Sequence, residues 1–386
     1  MTWSTRIMSI SLTYCLLVGF PPGSASAAQV TVLHSFGSGT DGQSPSGNLA
    51  DLGGVLYGTT SFGGTYGHGT VFRLTRSGKE ETIYSFKNKG DGGNPYAGLF
   101  NFEGVLYGTT LGGGTHGYGT VFKIAPAGVE TVLHSFGSGK DGASPSGRLA
   151  SVGGIIYGTT YEGGAYGGSP GEATGGVVYT IATSGAEKVL YSFGKTLDDG
   201  NQPTNGLINV AGTLYGATNR GGVNHHGEVF SISTSGATKV IYQFKFTGDV
   251  SVSSCLADVN GTLYGMGLHG GLDGRGAVFS VTLGGVEKIL YSFDPKGGSK
   301  DGLGLNYGLT QDGSRLYGTL AGGGAYNHGT LFSVSVAGAF EVVHSFGAGK
   351  ESAGPNGQLI NLGGTLYGVT GGGGTYGNGT VYKITP

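Results

Sequence analysis

Short apolar runs alternate with glycine-rich polar stretches along nearly the whole chain, and the runs return in a fixed order. VTVLHSF at 30–36 recurs as ETIYSF (81–86), ETVLHSF (130–136), KVLYSF (188–193), KVIYQF (239–244), KILYSF (288–293) and EVVHSF (341–346). Between copies lie a Leu-Tyr-Gly run and then a Gly-Thr-Val-Phe run. All are rich in Val, Ile, Leu, Tyr and Phe and bounded by Gly, Asp and Ser, which predicts strands, and no stretch carries a helical period. The tyrosines of the second run are Tyr57, Tyr107, Tyr157, Tyr215, Tyr264, Tyr317 and Tyr367, spaced 50, 50, 58, 49, 53 and 50 residues apart. Seven units of this period match kelch-type propeller blades.

Each unit supplies four strands, the first marked by a leucine (Leu49, Leu99, Leu149, Leu207, Leu256, Leu309, Leu359). The pattern predicts an all-β, seven-bladed β-propeller of four-stranded antiparallel blades, a single domain over 28–386. The chain stops after GTVYKITP with no eighth copy of the fourth strand. The N-terminal strand 30–36 is therefore expected to pair with 379–384 and close the ring, since a superhelical stack would leave an uncapped edge.

Composition changes this picture little. Gly 85 and Pro 11 fall at fixed places between the runs and read as turn punctuation. The formal net charge is -2, too little basic character for a nucleic-acid partner. The first residues differ: Arg6, the apolar run 10–20 and Ala25-Ser26-Ala27 read as a signal peptide over 1–27. The apolar run is too short to span a bilayer, so no membrane span is expected after cleavage. The destination is periplasmic or extracellular. Loss of Cys15 and Trp3 with the leader leaves Cys255 without a disulfide partner.

Two kinds of long loop share one face of the predicted propeller, opposite the tight turns. One carries an acid in every unit: Asp41, Asp91, Asp141, Asp199, Asp249, Asp301 and Glu351. Such a ring would suit calcium or sugar hydroxyls; the favoured reading is a side chain capping its own Asp-Gly turn. No other cofactor is expected. The second loop presents Tyr66, His116, Tyr166, Tyr326 and Tyr376, whose flat faces suit a sugar ring or a protein partner, or simply cover glycine-rich backbone. Departures from the repeat cluster in units three to five: Glu172 in an insertion, Arg220, His225, His226 and Glu228 in the fourth, and His269, Asp273 and Arg275 in the fifth. Of these, Glu172, His226, Glu228, His269 and Asp273 are candidate catalytic groups, and Arg220, His225 and Arg275 join the binding candidates. Drift in tolerant loops is the competing reading. His34, His134 and His344 stand where other units have tyrosine and read as packing residues. No nucleophile elbow, nucleotide loop or defined metal spacing occurs.

The unit GGxLYGTTxxGGxxGxGTVFxI, plainest at Leu56-Tyr57-Gly58-Thr59-Thr60 and Gly69-Thr70-Val71-Phe72, resembles the repeat of the GloVer (Gloeo-Verruco) family of exported bacterial β-propeller proteins. The resemblance covers the mature chain and implies export and repeat architecture, without a known activity. Because the chain ends at Pro386 without a sorting tail, surface anchoring is not expected. The expected function is a non-catalytic propeller whose Gly/Tyr/His-rich loop face binds a polysaccharide or protein. The alternatives are a carbohydrate-active enzyme using the loops of units three to five, or a structural envelope protein.

Overall fold

The apolar runs form strands throughout, and no helix occurs among the described residues. The computed structural model describes residues 28–386 apart from 138–139, 168–173, 246–250, 253, 273, 294–300, 306 and 348–350. The leader 1–27, Glu172, Asp249 and Asp273 thus lie outside the described residues. Among those described, no helix is long and apolar enough to cross a membrane.

The fourth repeat shows the plan. Gly200–Val210, Thr213–Gly221, Glu228–Ile232 and Thr238–Gln243 form one antiparallel sheet in chain order. The third repeat repeats it with Ala150–Val152, Ile155–Thr160, Val177–Ile181 and Glu187–Ser192. In the last repeat the outer place beside Thr380–Ile384 is taken by Thr31–Ser35 from the other end of the chain. The register is Thr31↔Lys383, Val32↔Tyr382, His34↔Val381 and Ser35↔Thr380, shifting between Val32 and His34.

Sheet packs on sheet, and the core lies between successive repeats. Ala50, Tyr57, Val71 and Phe86 of the first repeat pack with Leu99, Leu106, Phe122 and Ile124 of the second. Tyr367, Val369 and Val381 of the last pack with Leu49, Leu56, Phe72 and Leu74 of the first. The glycine of each Leu-Tyr-Gly run is a packing requirement. Gly58 pairs with Phe72, and a Cβ there would lie 2.5 Å from the Phe72 ring and 2.8 Å from Leu49. The ring needs that bare backbone, because an interior this dense cannot yield a methyl group of space.

Innermost, neighbouring first strands touch through single parallel bridges, Asn48↔Gly98, Arg148↔Gly206 and Cys255↔Gly308. A side chain meets a glycine each time; a Cβ on Gly206 would stand 2.1 Å from the Arg148 carbonyl oxygen. Gln358 holds the same place in the last repeat and instead donates from Nε2 to Leu309 O at 2.8 Å.

Candidate functional site

Each first strand runs from the long-loop end of its sheet to the tight-turn end. In the fourth repeat Gly200 pairs with Gly221 at one end and Val210 with Thr213 at the other. At the long-loop end a cleft of about 910 Å³ opens among the third, fourth and fifth repeats, and Lys195, Asp199, Arg220, His225, His226 and His269 line it. Three of these, Arg220, His225 and His226, sit in the connection between Thr213–Gly221 and Glu228–Ile232, where sister repeats carry mostly glycine, threonine and tyrosine.

Asp199 is held from two sides: Tyr191 Oη donates to Oδ1 at 2.8 Å, and the Lys195 N–H donates to Oδ2 at 3.0 Å. Among the described residues no carboxylate lies within ion-pair distance of Lys195 or Arg220. Both cations are exposed at the cleft, so its field favours an anion. His225 has φ 61, a left-handed backbone where the equivalent Gly67, Gly117 and Gly377 have φ 81, 84 and 77 and Asn327 of the sixth repeat has φ 60. A β-carbon in that region costs about 1–2 kcal/mol, so an imidazole is held there against local preference.

Glu228 stands beneath the cleft floor, 2% exposed, and does not line it. Four sister repeats place a fully buried threonine here (Thr70, Thr120, Thr330 and Thr380), as in the 2.8 Å Thr60–Thr70 hydroxyl pair, while the third and fifth have Val177 and Ala277. In the fourth repeat the Glu228 N–H still donates to Thr218 Oγ1 at 3.1 Å, while Gln243 Nε2 donates to Glu228 Oε2 at 3.4 Å. Burial, with the Asp199 charge, pushes the Glu228 carboxyl up to about 7 against the lowering hydrogen bonds from Gln243 and Gly200. As placed, Glu228 touches no substrate. Its neighbours there are Asp199 and the Gly200 backbone.

The remaining candidates scatter. Tyr66, Tyr166, Tyr326 and Tyr376 are about half exposed, at 52, 50, 53 and 53%, on the loops of the first, third, sixth and seventh repeats. Neither they nor the exposed His116 and Arg275 line the cleft. Sequence reasoning passed over Lys195, Asn201, Asn219 and Gln243. Gln243 had a signal, since KVIYQF carries Gln where every other copy has Ser.

The acid ring builds turns. Asp41 accepts from Gly37 N at 2.9 Å and lies 3.1 Å from His34 Nε2; Asp141 lies 2.9 Å from His134 Nε2. Asp91 accepts from Tyr84 Oη at 2.8 Å and Lys87 N at 3.0 Å, and Asp301 accepts from Tyr291 Oη. Each acid ties its turn to the preceding fourth strand, as the turn-capping reading expects. Glutamates of the following sheet then crowd these pairs. Ligand atoms of His34, Asp41 and Glu80 lie within 4.8 Å of one another, an arrangement whose nitrogen donor is foreign to calcium.

Burial, assisted by Asp41 and Asp91, pushes Glu80 and Glu130 up to about 7. The folded state therefore holds these protons more tightly than the unfolded chain, whose carboxyls titrate near 4.5. The stability they contribute is complete below that value and is lost as pH rises to about 7. Thermal unfolding should show a lower Tm at pH 8 than at pH 5, and Glu80→Gln with Glu130→Gln should flatten that slope. An unchanged slope in the double variant would reject the buried-acid account.

Antiparallel sheets repeated in this way, with the core between them, define an all-β repeat protein of β-propeller-like fold. The chain belongs to the Gloeobacter/Verrucomicrobia repeat family, whose model matches residues 23–170 and 166–314. No curated protein matches it in sequence. Among solved structures it is similar to an oligogalacturonate lyase from Vibrio parahaemolyticus, at 12% identity over 94% of each chain with a TM-score of 0.53. A gluconolactonase from Xanthomonas campestris is similar at 11% identity, 93% of this chain, 89% of the other and a TM-score of 0.47.

The expectation of a non-catalytic binding module is corrected by these findings. The oligogalacturonate lyase that shares the fold is an enzyme by name, so the fold gives no ground for a non-catalytic module. At this identity the likeness carries the fold, and the chemistry rests on the site. Ionisable groups, rather than the tyrosines, line the cleft.

Proposed function

We propose that the chain is an exported, seven-bladed propeller enzyme that cleaves an acidic polysaccharide in the cleft of repeats three to five. The carrying observation is that cleft, where Lys195 and Arg220, without ion-pair partners among the described residues, meet His225, His226 and His269. The shared fold of a protein titled oligogalacturonate lyase supports a uronate chain as substrate. Closure of the ring is supported by the Thr31–Ser35 ladder and by the core joining the last repeat to the first. Export is read from Arg6, the run 10–20 and Ala25-Ser26-Ala27, and a mature N-terminus other than Ala28 or Gln29 would count against that leader.

In a uronate chain the carboxylate makes the neighbouring C5–H acidic. His225 removes that proton, the C4–O bond breaks, a C4=C5 double bond forms, and the departing oxygen takes a proton from His269. Negative charge grows on the carboxylate as the C5–H bond breaks, and Arg220 and Lys195 stabilise it there. Asp199 keeps the Lys195 backbone in place.

The test follows the product. The new double bond is conjugated with the carboxylate and absorbs in the near ultraviolet. Absorbance should rise with oligogalacturonate and not with a neutral glucan, and Arg220→Ala should lower kcat by about 10²–10³-fold. No rise with any acidic chain, or full activity in the variant, would overturn the reading.

A further inference from the structure

A second cavity, of about 540 Å³, opens on the ring axis at the tight-turn end of the sheets. It is separate from the loop cleft: Asn201 lines the cleft, and Leu207 and Asn209, at the other end of the same strand, line this cavity. Its walls mix first-strand leucines with polar side chains such as Asn209, Thr310, Gln358 and Asn361, and Arg148 stands on it. The seven equivalent axial positions are Asn48, Gly98, Arg148, Gly206, Cys255, Gly308 and Gln358, so Arg148 brings the single charge among them.

That charge is unmatched. Arg148 Nη1 donates to Gln358 Oε1 at 3.2 Å, and no carboxylate lies within ion-pair distance of the guanidinium among the described residues. Asp258, on the same cavity, accepts from Gly261 N at 3.0 Å and caps its own turn. Gln358 is itself pinned through Nε2 to Leu309 O at 2.8 Å, so it fixes how the guanidinium is turned. A half-buried cation loses part of its hydration and regains it from polar partners or from an anion. With Nη1 engaged, the Nε–Nη2 edge remains, two parallel N–H donors spaced to grip both oxygens of one carboxylate. Behind it Asn48, Cys255 and Tyr307 close the axis. A doubly charged phosphate would meet a single cation there, whereas one carboxylate balances it.

We propose that the axial cavity is a binding site for a small carboxylate of sugar-acid size, held side-on by Arg148 with Gln358 as the positioning residue. The volume falls within the range of small-molecule pockets, about 300–1,000 Å³. The site is independent of the loop cleft and does not rest on the catalytic reading.

Calorimetric titration with sodium glucuronate tests it, using glucose as the uncharged counterpart. The titration is made in the protein carrying both Lys195→Ala and Arg220→Ala, which removes the two cations of the loop cleft. Glucuronate should bind at one site while glucose does not, and adding Arg148→Gln should weaken glucuronate at least ~10-fold, equivalent to about 1.4 kcal/mol. Should that protein fail to fold, Arg148→Lys keeps the charge without the fork and should weaken binding several-fold, while Gln358→Leu should weaken it with the cation retained. Equal heats for glucuronate and glucose, or unchanged affinity in the Arg148 variants, would overturn the proposal.

Discussion

Replacing His225 by glycine is expected to lower turnover by about 10²–10⁴-fold, the usual worth of a positioned general base, while making the protein more stable. The two effects have one cause. His225 holds φ 61 at a place where Gly67, Gly117 and Gly377 adopt the same left-handed backbone without a β-carbon. Removing the imidazole relieves about 1 kcal/mol of local strain, and thermal unfolding should move upward. Its N–H would still donate to Gly222 O, so the turn itself survives. Turnover and Tm measured together on His225→Gly decide the matter. Lost activity with a higher Tm identifies a residue kept for chemistry; unchanged activity would return His225 to loop drift and move the base to His226 or His269.

Removing the Phe36 side chain is expected to cost about 3–5 kcal/mol, the range for emptying a buried phenylalanine site. Phe36 is fully buried, with ring centroids 5.0 Å from Phe72 and 4.7 Å from His34. Its N–H donates to Gly379 O at 2.9 Å, and its side chain packs with Leu49 and Leu56 of the first repeat and Tyr367 and Val381 of the last. One side chain thus joins the two ends of the chain. Deleting 28–36 should do more, because Thr380–Ile384 would become an open edge and invite association between molecules. Denaturant unfolding should lose cooperativity in the deletion protein, and light scattering should detect larger species. A deletion protein that unfolds as the intact one does would mean that the ring does not depend on this strand for closure.

Much of this was legible without coordinates. Strands, their order and the repeat came from runs of Val, Ile, Leu, Tyr and Phe between glycines, because strand formation and tight turns depend on residues close in sequence. The pairing of 30–36 with 379–384 could be argued from counting copies, although its partners are far apart in the chain. The turn-capping role of Asp41 and its equivalents was readable for the same reason, since donor and acceptor sit a few residues apart.

The site was only half legible. Departures in repeats three to five pointed to loops that border the cleft, with Arg220, His225, His226 and His269 lining it and Arg275 outside it. Glu228 also broke the pattern, yet it lies under the floor with Gln243, because the Thr ladder it replaces points into the sheet interface. Lys195 and Asp199 enter from the preceding repeat, and no local pattern announces a neighbour across an interface. The sequence by itself determined the strands, the turns and the repeating all-β plan, all of which depend on local propensity and periodicity. Only the tertiary structure decided which loops meet in a cleft and that Arg148 stands on a second cavity pinned to Gln358, since burial and spacing between repeats arise from packing distant segments together.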